Sequence, residues 1–461
     1  MGRLDDIKTE IGKDYPHFVE PLLASISLAT MLSFRDQTQP VTLILVGQAS
    51  TGKTSVVEMM RPNKEHEAGI EKTGNDNVLN EKLDAHIYPL SSFTKASMLS
   101  QAANVSPAKL KKIHLLPKLK NKVLLTKELA PLFQTPKKEL TPIFGDLTDI
   151  LDGKGLEKAG GVHETVRIKG PLVFNWIGCT TPITAETHDL MSTLGGRIIW
   201  YHMPKLPISK LEGRNIVKNR GKFHKDMNRF QGMVNEFLMD HFERHPKRTV
   251  HMDTIKIPDE IADYIWSCAQ FTACMRAMLP KNPDATKGSG IDEFLEAIDE
   301  AGYRLAEMYS SIACSLALMH DRNVVNESDL KIIRHICLSS MHEQRRKLTS
   351  IFLEGKNPQD RLSIPDLREH TAKFNNGKRW SLPSIKYYAR HLNYLGPWKY
   401  KDGEGGYLAL KDEYHLLLNN QPVNTQPEVK LPSLPTSKNF KPIPIPDWYA
   451  SPDWMTERRV M

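Results

Sequence analysis

Four short runs of apolar residues occur in the first half of the chain, and each is apolar at nearly every position rather than at every second one. Continuous apolar runs of this length, rich in β-branched residues, are typical of strands buried on both faces of a parallel sheet. Longer segments separate the runs, as expected where helices connect parallel strands. The pattern predicts an α/β fold with a parallel sheet, whose strands are residues 41–46, 122–128, 172–179 and 198–201.

Helical periodicity dominates the next part of the chain. Apolar residues recur at spacings of three and four over 233–242 and 261–278, and a long apolar helix opens at Tyr303. Asn326 is suited to cap the following helix, with Asp329 at the third position behind it. These features predict an all-helical lid after the α/β core.

Beyond residue 360 the pattern changes again. Helices are predicted over 363–373 and 381–392, and a glycine-rich turn at 402–406 separates strands at 398–401 and 407–410. Two helices followed by such a hairpin predict a winged-helix domain, which binds either DNA or protein. The predicted divisions are an N-terminal helical segment at 1–40, the core at 41–205, the lid at 206–355, the winged helix at 360–418 and an extended proline-rich tail at 419–461.

Composition excludes several classes of protein. Of the 461 residues, 40% are hydrophobic and 25% are charged, as in ordinary globular proteins. No apolar run approaches the length that a bilayer requires, and the N-terminus lacks the apolar core of a signal peptide. The five cysteines occur in apolar stretches without a C-x-x-C pair, which favours buried, reduced thiols. We therefore expect a cytoplasmic protein with no membrane partner.

Positive charge is distributed unevenly. The formal net charge is +8, and no acidic residue occurs between Asp84 and Glu128, where lysines accumulate. A second basic stretch covers 205–229. Such clusters favour a polyanionic partner, although each is also compatible with a solvated surface.

The clearest chemical signal follows the first predicted strand, where the chain matches the Walker A pattern G-x-x-x-x-G-K-[ST]. In this loop, known as the P-loop, backbone N–H groups and the positive end of the next helix would cradle phosphate. Lys53 would reach the β- and γ-phosphates of ATP, and the Thr54 hydroxyl would bind Mg²⁺. A chance glycine turn is the alternative. The predicted nucleotide-binding residues are Gly47, Gln48, Ala49, Ser50, Thr51, Gly52, Lys53 and Thr54.

The second predicted strand ends on Glu128, a position that faces the nucleotide in sheets of this kind. Glu128 could polarise the attacking water, or could merely start the next segment. The acid that usually precedes such a glutamate is replaced by Lys127. Further along the chain, Asp146, Asp149 and Asp152 have a spacing of three; a solvated helical face is the favoured interpretation, with Asp146 as a reserve metal ligand.

Three more features complete the core. A glycine-rich turn and an alternating segment over 153–168 predict a β-hairpin. The third predicted strand leads to Thr181, at the sheet edge where a residue that senses nucleotide would lie. Arg197 immediately precedes the last strand.

This order of elements resembles that of AAA+ ATPases. Within that superfamily, the segment from Glu157-Lys158-Ala159-Gly160 to Thr181-Pro182 resembles the hairpin and sensor strand of MCM-type helicases, which carry Lys-Ala-Gly before a strand ending in Asn-Pro. The chain departs from that pattern at Thr181 and in Gly-Gly-Arg-Ile at 195–198, and we expect no counterpart of the large N-terminal collar in its first 40 residues. The resemblance covers about residues 40–340 and the winged helix, as in a compact relative found on phages and mobile elements.

The resemblance implies roles for individual residues. Glu128 would activate water, Thr181 would orient it, and Arg304 would sense the γ-phosphate. Arg197 would act on the nucleotide of an adjacent subunit, which requires a homo-oligomeric ring, with a hexamer expected. Lys158 would line a central pore. The predicted DNA contacts are Lys158, Lys118 and Lys120 in the core and Lys386 and Arg390 in the winged helix.

Three functions are consistent with these features. The first is a ring-forming DNA helicase or translocase driven by ATP hydrolysis. The second is an ATP-switched initiator, loader or transposition regulator that binds DNA without unwinding it, and the third is a MoxR-like remodeller of protein complexes. The tail repeats Pro-Asp-Trp at 446–448 and 452–454, which suggests docking onto a neighbouring subunit or another protein, or packing on its own domain.

Overall fold

A computed structural model describes most of the first three quarters of the chain and fragments of the rest. Contacts between residues divide the chain into two compact units, 1–257 with 310–332, and 258–309 with 333–461. Each unit is described by itself. The described residues are 4–62, 82–91, 114–158, 166–183, 187, 190, 197–204, 214, 217–219, 221–277, 282, 300–353, 362–372, 377–381, 384–385, 388, 395–396 and 407–410.

The first unit contains a five-stranded sheet in which every neighbouring pair is parallel. This confirms the predicted α/β class and the four predicted strands. A fifth strand, at the edge of the sheet, was not predicted. The strands are β1 (Val41–Val46), β2 (Ile87–Leu90), β3 (Val123–Thr126), β6 (Asn175–Thr180) and β7 (Ile198–His202), and their order across the sheet is β2-β3-β6-β1-β7.

A separate two-stranded ribbon precedes β6. Its strands, β4 (Gly155–Lys158) and β5 (Val166–Lys169), pair antiparallel with Gly155 opposite Lys169 and Lys158 opposite Val166. The predicted hairpin is therefore confirmed, except that β4 occupies residues that were expected to form the glycine-rich turn. Backbone bonds tie its base to the main sheet, because Leu172 N donates to Gly153 O at 2.9 Å just before β6 begins.

The central strands are buried at every position, because helices cover both faces of the sheet. One core combines Trp176 and Trp200 from the sheet with Phe133, Phe144 and Leu147 from the helices that follow β3. The helices of the first unit are α1 (Leu4–Asp14), α2 (Pro16–Thr30), α3 (Lys53–Met59), α4 (Leu116–Leu119), α5 (Ala130–Phe133), α6 (Lys137–Leu151) and α7 (Lys222–Arg244), with 3₁₀ turns at Met31–Ser33 and Met252–Thr254.

The later helices agree with the predicted periodicity. The predicted cap is confirmed, because Asn326 N donates to Asp329 Oδ2 at 2.9 Å and Ser328 N donates to Asn326 Oδ1 at 3.0 Å. The helices α8 (Asp259–Arg276), α11 (Glu343–Leu353) and α12 (Ile364–Thr371) belong to the second unit, and α9 (Tyr303–Met319) and α10 (Glu327–Ser339) have residues in both.

The described fragments beyond residue 360 include a small antiparallel sheet. Its strands are β8 (Leu362–Ser363), β9 (Leu395–Gly396) and β10 (Tyr407–Leu410), with β10 in the centre. Ser363 caps α12, since its hydroxyl accepts a hydrogen bond from Asp366 N at 3.2 Å. The strand predicted at 407–410 is confirmed, whereas the one predicted at 398–401 and the tail lie outside the described residues.

Among the described helices, none is both long enough and apolar enough to cross a bilayer.

Candidate nucleotide-binding site

The predicted nucleotide-binding loop and two of the predicted catalytic residues follow three adjacent strands at one edge of the sheet. The P-loop follows β1, Thr181 follows β6 and Glu128 follows β3. Because the strands are parallel, all three segments emerge at their common carboxyl edge. Neighbouring strands lie about 4.8 Å apart, so the P-loop strand and the Glu128 strand are separated by about 10 Å, with Thr181 between them.

Lys53 closes the P-loop through its own side chain. Its ammonium group donates to Gly47 O and to Gln48 O, each at 2.7 Å. An ammonium group has three donors, and these two carbonyls hold it across the mouth of the loop. Lys53 is 5% exposed, so the charge is held beneath the loop rather than in solvent.

The shape of the P-loop requires its glycines. Gly52 has φ +82°, and a Cβ there would lie 2.1 Å from Cε1 of Phe18, whose ring in α2 packs directly against the loop. Gly47 has no room either, since a Cβ would lie 2.6 Å from Thr51 Oγ1. Ser50 adopts φ 65°, and Thr51 Oγ1 donates to Gln48 O at 2.9 Å. The P-loop therefore has a well-defined conformation, which Phe18 of the N-terminal helix α2 supports by packing against Gly52.

Charges of both signs converge beneath this edge. Burial lowers the pKa of Lys53, while the Cys179 thiol and the Glu128 carboxylate act to raise it. Burial raises the pKa of the Cys179 thiol; Lys53 acts to lower it, and Glu128 and Glu58 act to raise it further. The pKa of the Cys179 thiol in β6 is therefore influenced by charges of both signs, from α3 and from the end of β3.

Glu128 has a structural contact as well as a position suited to catalysis. Its Oε1 accepts a hydrogen bond from Ala130 N at 2.8 Å, at the start of the short helix α5. Leu129 N donates to Cys179 O at 2.8 Å and fixes the chain beside β6. The carboxylate is partly exposed, so a water can reach it. Both sequence interpretations of Glu128, the start of the next segment and the base, are therefore compatible with the geometry.

The end of β6 is tied to the P-loop by its backbone. Gly47 N donates to Thr180 O at 3.2 Å, which brings Thr181 to the level of the loop. Thr181 is partly exposed, whereas Thr180 is fully buried. The Thr180 hydroxyl has no hydrogen-bond partner within the described part of the chain.

The described side chains fit a protein-held Mg²⁺ poorly. Thr54 is exposed and offers one hydroxyl oxygen. Mg²⁺ sites in proteins usually add one or two carboxylates. At the position where such an acid was expected, Lys127 instead forms an ion pair with Glu58 of α3. No group of three or more His, Cys, Asp or Glu side chains that could hold a metal ion occurs among the residues described.

Arg197 lies at the opposite, amino edge of the sheet. Ile198 pairs with Thr42, so Arg197 is level with Val41, at the far end of β1 from the P-loop. Its guanidinium donates to both carboxylate oxygens of Asp152, from Nε at 2.7 Å and from Nη2 at 3.0 Å. Asp152 is 10% exposed, so the prediction that it belongs to a solvated helical face is wrong. It ends α6 and leads into the hairpin.

Lysines also gather at the amino edge, before β3. Lys118 and Lys120 are exposed there. Lys122 Nζ donates to Asp84 O and Lys247 Nζ to Ala85 O, both at 2.9 Å. Burial and the neighbouring Lys122 lower the pKa of Lys247, which indicates two ammonium groups close enough to repel. An anion at this edge would relieve that repulsion.

The second basic stretch differs, because part of it is neutralised within the chain. Lys222 forms an ion pair with Asp14 at 3.1 Å, and Arg229 with Glu10 at 2.8 Å. Both acids belong to α1, so these cations stabilise the packing of α7 on the N-terminal helix.

Three of the remaining predicted residues have side chains outside the described part of the chain, and the fourth belongs to the second unit. Lys158 ends β4, and its side chain lies outside the described part, as do Lys386 and Arg390. Arg304 is in the first turn of α9, in the second unit. Their functional roles stay predictions.

Two residues near the P-loop are not predicted from the sequence as part of the site. The sequence places Phe18 only within the N-terminal helical segment, but its ring packs on Gly52 and stacks on Tyr15 with centroids 5.7 Å apart. Glu58 was overlooked although it follows Thr54 by four residues, the spacing that places two side chains on one helix face. That spacing was the available signal for Glu58; no local signal marked Phe18.

No protein-family model matches this chain, and none of the curated proteins matches it in sequence.

Proposed function

We propose that this protein is an AAA+ ATPase that hydrolyses ATP and acts on DNA as an MCM-like helicase or translocase. The observation that carries the proposal is the division of predicted functional residues between the two sheet edges. Lys53, Thr181 and Glu128 occupy the carboxyl edge, whereas Arg197 and the hairpin base lie at the amino edge. A ring ATPase needs this division, because one edge holds a subunit's own nucleotide and the other faces a neighbour.

The carboxyl edge has the parts that phosphoryl transfer to water requires. On nucleotide binding, Lys53 would exchange its two carbonyl partners for the β- and γ-phosphates. The ends of β1 and β3 are about 10 Å apart, so the space beyond the end of β6 would have room for a γ-phosphate and a water. Glu128 would orient that water and accept its proton, with Thr181 holding it from the intervening strand. Thr54 is the residue proposed to contact Mg²⁺, which would arrive on the phosphates.

Arg197 is proposed to act on a neighbouring subunit for a geometric reason. The P-loop and Arg197 lie at opposite ends of β1, whose six residues span about 16 Å at the rise of a parallel strand. That distance exceeds the reach of an arginine side chain. If Arg197 touches a nucleotide, the nucleotide belongs to another copy of the chain. A homo-oligomeric ring, with a hexamer expected, follows as part of the proposal.

DNA is proposed to contact the amino edge. Exposed Lys118 and Lys120 lie at that edge, and the hairpin that carries Lys158 starts there. If the hairpin moves when ATP is bound or hydrolysed, it would then move the bound DNA strand. The small sheet β8-β10-β9 beside α12 supports a winged-helix domain in the second unit. We propose that Lys386 and Arg390 of that domain add further DNA contacts.

A specific observation favours the second candidate, an ATP-switched initiator, loader or transposition regulator that does not unwind DNA. Lys127 replaces a carboxylate next to the proposed base and is paired with Glu58. A site that lacks an acidic ligand for Mg²⁺ is suited to slow turnover, and slow turnover suits a switch better than a motor.

Purified protein separates these functions. ATP hydrolysis is measured with and without DNA, together with displacement of a labelled strand. A helicase or translocase requires DNA-stimulated hydrolysis and displacement, whereas DNA-stimulated assembly without displacement favours the switch. Hydrolysis and assembly that are indifferent to DNA would contradict both and favour a remodeller of protein complexes.

Neutralising Lys158, Lys118 and Lys120 to glutamine together should weaken DNA binding and flatten its salt dependence. Each phosphate contact to duplex DNA contributes about 0.9 to the slope of log K against log salt, so three contacts predict a decrease of about 2.7. Basal ATP hydrolysis should survive. Binding to a labelled duplex, titrated at several salt concentrations, measures the slope.

An equal-charge control is available in the same chain. Lys8, Lys13 and Lys222 are ion-paired with Asp5, Glu10 and Asp14, so they are less available to phosphate. Their replacement by glutamine should change the slope little. If both triple variants change the slope equally, or neither does, the amino-edge lysines are not the DNA contacts.

A further inference from the structure

Lys127, the residue before Glu128, is positively charged at a position where an acidic residue is expected. Lys127 is the first residue after β3, at the carboxyl edge of the sheet. Its ammonium group forms an ion pair with Glu58 Oε1, and both side chains are 33% exposed. The other oxygen of Glu58 lies 3.6 Å from Arg61 Nη1. Two cations therefore share one carboxylate beside the P-loop helix α3.

The pair lies next to the proposed phosphate site. Glu58 follows Thr54 by one helical turn, about 6 Å, on the same face of α3. The partner of Lys127 therefore lies in the helix that begins at Lys53, while Lys127 itself comes from the strand end that carries the proposed base.

The charges present here are unsuited to a protein-held dication. A Mg²⁺ ion beside Thr54 would gain one hydroxyl ligand and would be repelled by the ammonium of Lys127. A triphosphate would be attracted by the same ammonium, because lysine is a compact point charge well suited to phosphate oxygens. Glu58 limits the freedom of Lys127 before the nucleotide arrives, which reduces the entropy lost on binding.

We propose that Lys127, oriented by Glu58, is a second cationic ligand of the nucleoside triphosphate and supplies charge that Mg²⁺ supplies elsewhere. The protein consequently binds ATP with weak dependence on Mg²⁺. This inference rests on the proposed nucleotide site and concerns how that site neutralises phosphate. Lys53 would hold one side of the polyphosphate, and Lys127 would approach it from the end of β3, which is separated from β1 by β6.

A structural role for the pair makes a different prediction. If Lys127 and Glu58 only join β3 to α3, replacing both by neutral residues of similar size should change little, since partly exposed ion pairs contribute little to stability. ATP affinity would then respond to Mg²⁺ as in the wild type. The metal dependence of binding therefore separates a phosphate ligand from a structural contact.

The experiment measures the dissociation constant of ATP for the full chain by calorimetry, in excess Mg²⁺ and in excess EDTA. Wild-type affinity should differ less than about tenfold between the two conditions. The Lys127→Met/Glu58→Gln variant should lose about tenfold to a hundredfold in EDTA, the range expected for a charge-assisted hydrogen bond. Glu58→Gln alone should lose less affinity in EDTA than the double variant, because the ammonium of Lys127 remains but is no longer oriented by a carboxylate.

Two further variants guard against misfolding and general charge effects. Lys127→Arg keeps the cation and should keep metal-free binding. The matched control is Lys82→Met/Glu243→Gln, since this pair, 3.3 Å apart, joins residues before β2 to α7, away from the P-loop. It should behave as the wild type.

Each result is decisive. Equal loss of affinity on Mg²⁺ removal in the wild type and in Lys127→Met/Glu58→Gln overturns the inference while leaving the proposed nucleotide site intact. Absence of ATP binding by the wild type in both conditions overturns the proposed function and the inference together. Metal-free binding that depends on the charge of residue 127 supports both.

Discussion

Arg197→Ala subunits should bind ATP normally and hydrolyse it about a thousandfold more slowly, the low end of the effect of an arginine that stabilises transition-state charge. The expected separation of binding from hydrolysis follows from the fold. Arg197 lies at the amino edge, about 16 Å from its own P-loop along β1, so its removal leaves that loop unchanged. Calorimetry measures ATP affinity, and steady-state hydrolysis at saturating ATP measures the rate.

Mixing experiments test whether Arg197 acts in trans. Arg197→Ala and Lys53→Ala subunits, each inactive alone, should regain partial hydrolysis when co-assembled, because some interfaces then combine an intact P-loop with an intact arginine. A mixture that co-assembles but stays inactive would show that Arg197 serves its own subunit.

The ion pair between Arg197 and Asp152 requires a control in the same experiment. Arg197 makes a two-point contact with Asp152, so alanine leaves a largely buried carboxylate without this partner. Arg197→Ala/Asp152→Asn removes that charge together with the arginine. If the double variant recovers hydrolysis, the defect of Arg197→Ala comes from the loss of the arginine as a partner of Asp152 and not from a missing catalytic contact.

Glu128→Gln should reduce the maximal hydrolysis rate by about a hundredfold to ten thousandfold, the usual contribution of a general base, and leave ATP affinity intact. The substitution is well matched, because the glutamine side chain can still accept the hydrogen bond from Ala130 N. Hydrolysis rate and ATP affinity are measured on the same preparation. The exposed Asp149→Asn in α6 serves as a charge control.

The outcome distinguishes the two roles that the structure allows for Glu128. A residue that only begins α5 would tolerate the amide, so hydrolysis would be unchanged. Unchanged hydrolysis with intact ATP binding would move the base elsewhere, and the next carboxylate to test would be Asp146.

The strands that could be predicted from the sequence are those that are buried over nearly their whole length. β1, β3 and β6 are central strands, and β7, although at an edge, is buried at four of its five positions, so each reads as a continuous apolar run. β2 was missed because it is an edge strand interrupted by Pro89, which an edge strand tolerates since it lacks one row of partners. β8 has two residues, too few to leave a pattern.

The site was predicted where a motif fixes local geometry and was missed where distant segments meet. The P-loop follows from spacing alone. The Arg197–Asp152 pair joins residues 45 positions apart, and Lys127 and Glu58 belong to different elements. Their meeting depends on strand order, which residue patterns do not specify. Similarly, Asp152 has the same local spacing as exposed Asp149, yet it lies at the helix end and is largely buried.

The central claim is that the P-loop at the carboxyl edge binds ATP and turns it over. Its most direct test is ATP binding and hydrolysis by the wild-type chain beside Lys53→Ala, measured under identical conditions. We predict that the wild type binds and hydrolyses ATP, whereas Lys53→Ala does neither, because the buried ammonium that spans the loop is the main side-chain charge for the phosphates. Equal ATP binding and hydrolysis by both proteins would contradict the account.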